Sequence, residues 1–131
     1  MTEIELSAHA HVTDDELNAL FAASWPGDHS PIDFARIHAR SLTWVIARLD
    51  DELVGYVNVA TDGGSHAFLL DTTVHPDQRL RGLGRQLVIE AIEDAQARGA
   101  AWLHVDYEPH LEGFYRSCGF GPTAAGLLRL N

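Results

Sequence analysis

Residues 74–88 read VHPDQRLRGLGRQLV. A β-branched segment runs into Pro76, then into Gly82 and Gly84 set among Arg79, Arg81 and Arg85, and leaves as a helical pattern. Proline closes the strand, and glycines admit backbone conformations and close approaches that a side chain forbids. The amphipathic run 84–98 follows, with Leu87, Val88, Ala91, Ile92 and Ala95 on one face and Gly99 as its stop. A glycine turn opening a helix presents unpaired N–H groups backed by the positive end of the macrodipole, which suits a phosphate or pyrophosphate. Two familiar phosphate loops are excluded: the chain has no lysine for a Gly-Lys-Ser/Thr loop, and Leu87 stands where a dinucleotide fingerprint needs its third glycine.

The rest of the chain sets the frame for that turn. Its 131 residues bury one core and imply a single domain over 1–131. With 46% hydrophobic and 21% charged residues, the composition is that of a soluble globular protein. No apolar run approaches the roughly 18 residues of a spanning helix, and the opening MTEIELSAHAHV lacks the basic-then-apolar order of a secretory signal. A cytoplasmic location is expected. Cys118 is the single cysteine, which excludes an intrachain disulfide framework and a cysteine-based zinc cluster.

The net charge of −10 is placed unevenly: residues 1–78 carry 13 acids and 3 arginines, residues 79–131 six of each. Such a surface disfavours nucleic acid, which needs a basic footprint. Neither nucleic acid nor membrane is expected as a partner; a cationic small molecule is.

Along the chain, residues 3–12 alternate as a strand that carries His9 and His11 on one face. Thr13 and Glu16 form a capping box for a helix through Ser24, with Leu17, Leu20 and Phe21 on its inner face. WPGDHSP stops it, and a second helix is expected over 31–41 with Ser30 as its cap. Strands over 42–49 and 52–60 join at Asp50 and Asp51, and HAFLLDTTVHP is a further strand whose run 67–70 implies cover on both faces. AWLHVDYE is a strand with Trp102, His104, Asp106 and Glu108 on one side; HLEGFYRSCGF is a short helix, and the remainder supplies one or two short strands. The order indicates an α/β (α+β) domain: an antiparallel meander, then strands joined by helical crossovers.

With that order in place, Arg79-x-x-Gly82-x-Gly84, after a strand and before an amphipathic helix, resembles the acyl-CoA signature of the GNAT superfamily of acetyl-CoA-dependent N-acetyltransferases. Phe114-Tyr115-x-x-x-Gly119-Phe120 is similar to the last helix and following strand of that family. The resemblance implies a mixed, mostly antiparallel sheet with a splayed parallel pair, flanked by about four helices, and acetyl-CoA as co-substrate. The backbone of Thr72, Thr73 and Val74 would pair with the pantetheine arm as an added strand. The N–H groups of Arg81, Gly82, Leu83, Gly84 and Arg85, with Arg79 at the head of the motif, would hold the pyrophosphate. A homodimer is compatible with the resemblance.

Amine acetylation needs a neutral nucleophile. A lysine-like amine has a pKa of about 10.4, so only about 0.1% is neutral near pH 7.4. A carboxylate can take the proton, and Asp71, Asp106 and Glu108 are the candidates. A backbone N–H at the splay, that of Val74, can stabilise the developing oxyanion. Tyr115 matches the position of the acid that protonates the leaving thiolate in many relatives.

Cys118 reads as core, and Trp25 lies where the family shapes its acceptor pocket. Two departures stand out: Leu80 occupies a position where glycine is frequent, and residues 105–113 lack the asparagine with which many relatives bond the cofactor. The leading reading is an N-acetyltransferase acting on a primary amine of a small cationic acceptor in a ternary complex. Its rivals are a non-catalytic acyl-CoA sensor or interaction module, and a protein or peptide N-acetyltransferase with a broad acceptor groove.

Overall fold

In a computed structural model, which describes residues 3–131, five strands and four helices follow the expected order. The first two residues of the stretch read above against a secretory signal lie outside the described ones. β1 (Ile4–Ala8) precedes α1 (Asp14–Ser24). The capping box forms: Glu16 N–H donates to Thr13 Oγ1 at 3.1 Å, and Thr13 N–H donates to Glu16 Oε1 at 3.1 Å. The same carboxylate pairs with Arg48, which holds its pKa near 2, well below the ordinary 4.5. β1 stops at Ala8, short of residue 12, because His9 turns to φ +56° and stacks on Trp44 at 4.2 Å. His9 and His11 therefore do not share a strand face.

The second helix is shorter than its pattern suggests. α2 (Phe34–His38) is capped by Asp33 and not by Ser30, and Ser41 belongs to the next strand. Side chains of α1 explain this. Asn18 holds both the N–H and the carbonyl of Ile32, and the Asp14 carboxylate accepts the N–H groups of Phe34 and Ala35 at 3.1 Å each. The segment before Phe34 is thus pinned across α1 and is not available for helix.

β2 (Ser41–Leu49) and β3 (Glu52–Thr61) meet at Asp50 and Asp51, both at positive φ (50° and 67°), as a primed two-residue hairpin requires. β4 (His66–Val74), α3 (Leu83–Ala97), β5 (Trp102–His104) and α4 (Glu112–Ser117) complete the order. The sheet runs β1-β2-β3-β4-β5, antiparallel except for the parallel pair β4·β5. One face carries α3 and α4 over Val45, Ala47, Val57, Val59, Ala67 and Leu69. The other carries α1 and α2 over Ile46 and Tyr56. Cys118 is buried in the first cluster, as read from the sequence.

Three expectations fail near the sheet's end. β4 is not covered on both faces: Ala67 and Leu69 are buried, but Phe68 is 37% and Leu70 39% exposed, because α1 and α2 do not reach this part of the sheet. β5 ends at His104, so Asp106 and Glu108 lie beyond it, although Leu103, Val105 and Tyr107 still turn inward. Residues 121–131 form no strand; all are exposed, and Leu127, Leu128 and Leu130 find no neighbour to bury them. Among the described residues no helix is long and apolar enough to cross a membrane.

Candidate active site

The feature that makes a site is a parting of strands. β4 and β5 pair only over His66↔Trp102, Ala67↔Leu103 and Phe68↔His104. Past Phe68, β4 continues to Val74 with β3 alone, so the edge that faced β5 is left without a strand partner. That stretch is also bulged. Between the pairs Tyr56↔Thr73 and Asn58↔Leu70, the single residue Val57 stands opposite both Asp71 and Thr72, and Asp71 takes φ +60° to absorb the extra residue. A positive φ outside glycine is uncommon and is tolerated best by Asp and Asn.

The bulge directs side chains to opposite faces. Thr73 is buried on the α1 side, where its hydroxyl donates to Asp71 O at 2.9 Å and accepts the Trp25 indole N–H at 3.2 Å. Burial chiefly, and after it the Asp71 charge, raises the pKa of Tyr56 in the α1-side cluster, and loss of solvation raises that of Asp71 itself above the usual carboxylate range. Thr72 meets the Tyr115 hydroxyl on the α3 side. Tyr115 is buried there, stacked on Tyr107 at 4.9 Å with the edges of Phe114 and Phe120 closing around it. Burial is the main cause raising its phenol pKa; Thr72 pulls it back, while Cys118 and Asp106 push it further up. The phenol and the carboxylate thus reach the parted strand from its two sides.

Backbone groups complete the notch. His75 N–H donates to Val54 O at 2.8 Å, so antiparallel alternation turns the N–H and C=O of the neighbouring Val74 toward the open edge. Beyond Val74 the chain makes a short 3₁₀ turn (Pro76–Gln78) and enters α3 through Leu80 at φ +64° and Gly82 at φ +77°. Gly82 caps α3 with no side chain over the helix end, which leaves the first-turn N–H groups of Leu83, Gly84 and Arg85 without an intrahelical partner. A Cβ on Gly84 would stand 3.6 Å from Phe114 and 3.7 Å from Val74, so this helix start rests directly on the end of β4 and on α4.

The three arginines of the turn are placed differently. Arg81 is exposed, with a long 3.5 Å contact to Gln78; Arg85 reaches Ser117 O at 3.1 Å; Arg79 turns back to Ser24 O at 2.7 Å and Val74 O at 3.4 Å. Glu108 caps the 3₁₀ turn before α4 and, like Asp106, is exposed. Sequence reasoning missed the bulge at Asp71, the Trp25 to Thr73 bond and the Arg79 to Ser24 bond. The polar run Asp71-Thr72-Thr73 after four apolar residues was the available signal for the first; nothing local announces the other two, which join residues 48 and 55 positions apart. Among the described residues no cluster of three or more His, Cys, Asp or Glu gathers for a metal.

The arrangement can seat an extended amide chain along the open edge of β4 and an anion at the start of α3. Comparison with known proteins bears on the family and the fold. The profile of the Acetyltransferase (GNAT) family matches residues 10–120. The GCN5-related N-acetyltransferase 1, chloroplastic, of Arabidopsis thaliana is 34% identical over 115 residues; the match covers 86% of this chain and 58% of the plant protein, so the chain spans little more than half of that relative. A GNAT family acetyltransferase from Streptococcus pneumoniae TIGR4 superposes with a TM-score of 0.74 at 25% identity, over 98% of both chains. The aminoglycoside N-acetyltransferase AAC(6')-Iy in complex with CoA shares the fold, with a TM-score of 0.77 at 18% identity over 100% of this chain and 96% of its own.

Proposed function

The chain belongs to the GNAT family of acetyltransferases, and from that premise we propose that it transfers an acetyl group from acetyl-CoA to a primary amine of a small cationic acceptor, by direct attack in a ternary complex. One observation carries the reading. β4 leaves β5 after Phe68, and along the freed stretch the Tyr115 phenol and the bulged Asp71 approach from opposite faces.

Bound acetyl-CoA supplies an activated thioester. Thr72, Thr73 and Val74 offer the edge along which its pantetheine amides can pair, and the N–H groups at 81–85, with Arg81 and Arg85 nearby, offer the pyrophosphate site. Asp71 takes the proton from the incoming ammonium, so that a neutral amine forms the C–N bond; its raised pKa brings it nearer to neutrality, as a general base requires. The Val74 N–H faces the carbonyl oxygen as negative charge develops on it. As the C–S bond breaks, Tyr115, protonated at neutral pH by its raised pKa, gives its proton to the departing thiolate and the phenolate recovers one from the newly acylated nitrogen. Glu108 and Asp106, on the other wall of the notch, attract the cation and are second candidates for the base.

A protein or peptide acceptor is the second reading, favoured by the open face on which Phe68, Leu70 and Trp102 stand exposed, Trp102 at 66%. We place the enzyme in a reducing compartment, the cytoplasm, on its single cysteine, and leave a homodimer as a further proposal. A panel of polyamines, amino sugars and a lysine peptide, assayed with acetyl-CoA by release of free thiol, tests the function. Turnover of a small amine supports the first acceptor class, turnover of the peptide alone the second, and acetyl-CoA binding without any turnover the non-catalytic sensor.

A further inference from the structure

Arg79 heads the glycine-turn motif, yet its guanidinium does not extend along the turn. Nη2 donates to Ser24 O at 2.7 Å and Nε donates to Val74 O at 3.4 Å. Ser24 is the last residue of α1, a helix with three acids in its first turn and no basic residue in its last. The final carbonyls of a helix lack partners and carry the negative end of its dipole. Arg79 therefore supplies, from outside the helix, the cation and the donor that α1 lacks.

A second bond acts alongside it. Trp25, the cap of α1, sends its own N–H to Phe21 O at 3.0 Å and its indole N–H to Thr73 Oγ1, whose hydroxyl in turn holds Asp71 O. Two side chains thus fasten the end of α1 to the splayed half of β4, one on each side of the Ser24-Trp25 peptide. The loop that leaves this point runs through Gly27 at φ +89° and returns at Ile32 to the cluster that holds Tyr56 on the α1 side of the sheet. A planar fork with donors in fixed directions suits two carbonyls on two elements, whereas an ammonium offers a point charge.

We propose that Arg79 is a positioning residue that locks the end of α1 and the following loop to the parted strand, fixing the acceptor side of the notch, and that it is not a ligand of the cofactor's phosphates. The inference rests on the acetyl-transfer reading for the identity of that side. Arg81 and Arg85 remain as the arginines of the phosphate end.

The test compares Arg79→Ala, Arg79→Lys, Trp25→Phe and Arg81→Ala with wild type. It reads CoA affinity by calorimetry, amide exchange over residues 25–30, and KM and kcat for the amine that the panel selects. Arg79→Ala should bind CoA within about threefold of wild type, while exchange over 25–30 speeds by roughly tenfold and acceptor KM rises by roughly tenfold with kcat less affected. Arg79→Lys should restore part of both. Trp25→Phe, which keeps the ring and removes the donor, should loosen the same segment and stands in if Arg79→Ala fails to fold. Arg81→Ala should do the reverse, weakening CoA and leaving 25–30 unchanged. A loss of CoA affinity in Arg79→Ala that equals or exceeds its effect on exchange and acceptor KM overturns the proposal. If wild type binds CoA and turns over no amine, the acetyl-transfer reading fails, and the exchange data still decide the role of Arg79.

Discussion

From His66 to Phe68, β4 lies between two strands; from Leu69 to Val74 it has only β3. The paired part is in regular register, with Ala67 buried between partners. The parted part holds a bulge, a non-glycine residue in the left-handed region, a buried threonine bonded from another helix, and a carboxylate whose charge has no basic partner. Elsewhere the carboxylates are used to hold the chain: Glu16 caps a helix and binds Arg48, and Asp14 pins the start of α2. The opposite pKa directions of Glu16 and Asp71 express the same division. One acid is stabilised as an anion by the scaffold; the other is kept where ionisation costs free energy, which is what the proposed proton transfer would use.

If the two parts differ in this way, substitutions should separate activity from stability. The largest effect is expected from Tyr115→Phe, which should lower kcat by about 10²–10⁴-fold, the usual worth of a positioned acid, with CoA affinity nearly intact by calorimetry. Asp71→Asn should lower kcat/KM by about 10²-fold and remove the acidic limb of its pH profile, a limb that in wild type lies above the ordinary carboxylate range. The same variant should be more stable than wild type at neutral pH. A carboxyl with a raised folded-state pKa binds more protons folded than unfolded, so stability falls as pH rises through that window, and an amide removes the loss. A higher melting temperature for Asp71→Asn would sharpen the contrast; a lower one would break it.

In the paired part the outcome should invert. Ala67→Leu overfills a fully buried position and should cost about 1–3 kcal/mol in chemical denaturation, while the protein that remains folded binds CoA as wild type does. At the scaffold acid the sign is opposite to that at Asp71. Glu16 contributes stability above its unfolded pKa near 4.5, and this is lost as pH falls toward 2; Glu16→Gln should flatten that part of an acid titration of stability. The smallest effect is expected from Leu80→Gly. Leu80 is wholly exposed at φ +64°, so glycine relieves strain of about 1 kcal/mol and gives back part of it as chain entropy, for a net gain below ~1 kcal/mol.

What could be read from the sequence follows the range of the forces involved. The Thr13 to Glu16 box, the Asp50-Asp51 hairpin and the stop of α3 at Gly99, which takes φ +100°, are local chemistry and are all in place. So is the glycine entry to α3, because few residues other than glycine rest comfortably at the φ of Gly82. The sequence pattern overextends the second helix because Asn18 and Asp14 act on its start from 14 to 21 positions away. The run 67–70 suggested full cover, but hydrophobic order along a strand does not say whether a helix lies over each face. At the proposed site, residue types and spacing single out Tyr115 and the turn; the bulge at Asp71 and the bond from Arg79 to Ser24 depend on strand register and on α1, which no local pattern encodes.

The central claim is that the parted half of β4 and the start of α3 form one acetyl-CoA site. Amide hydrogen exchange with saturating acetyl-CoA addresses it directly. The account predicts slower exchange at residues 72–74 and 82–85 together, with β2 (Ser41–Leu49) unchanged. Exchange unaltered at both segments under saturating acetyl-CoA, or protection confined to another part of the chain, would contradict it.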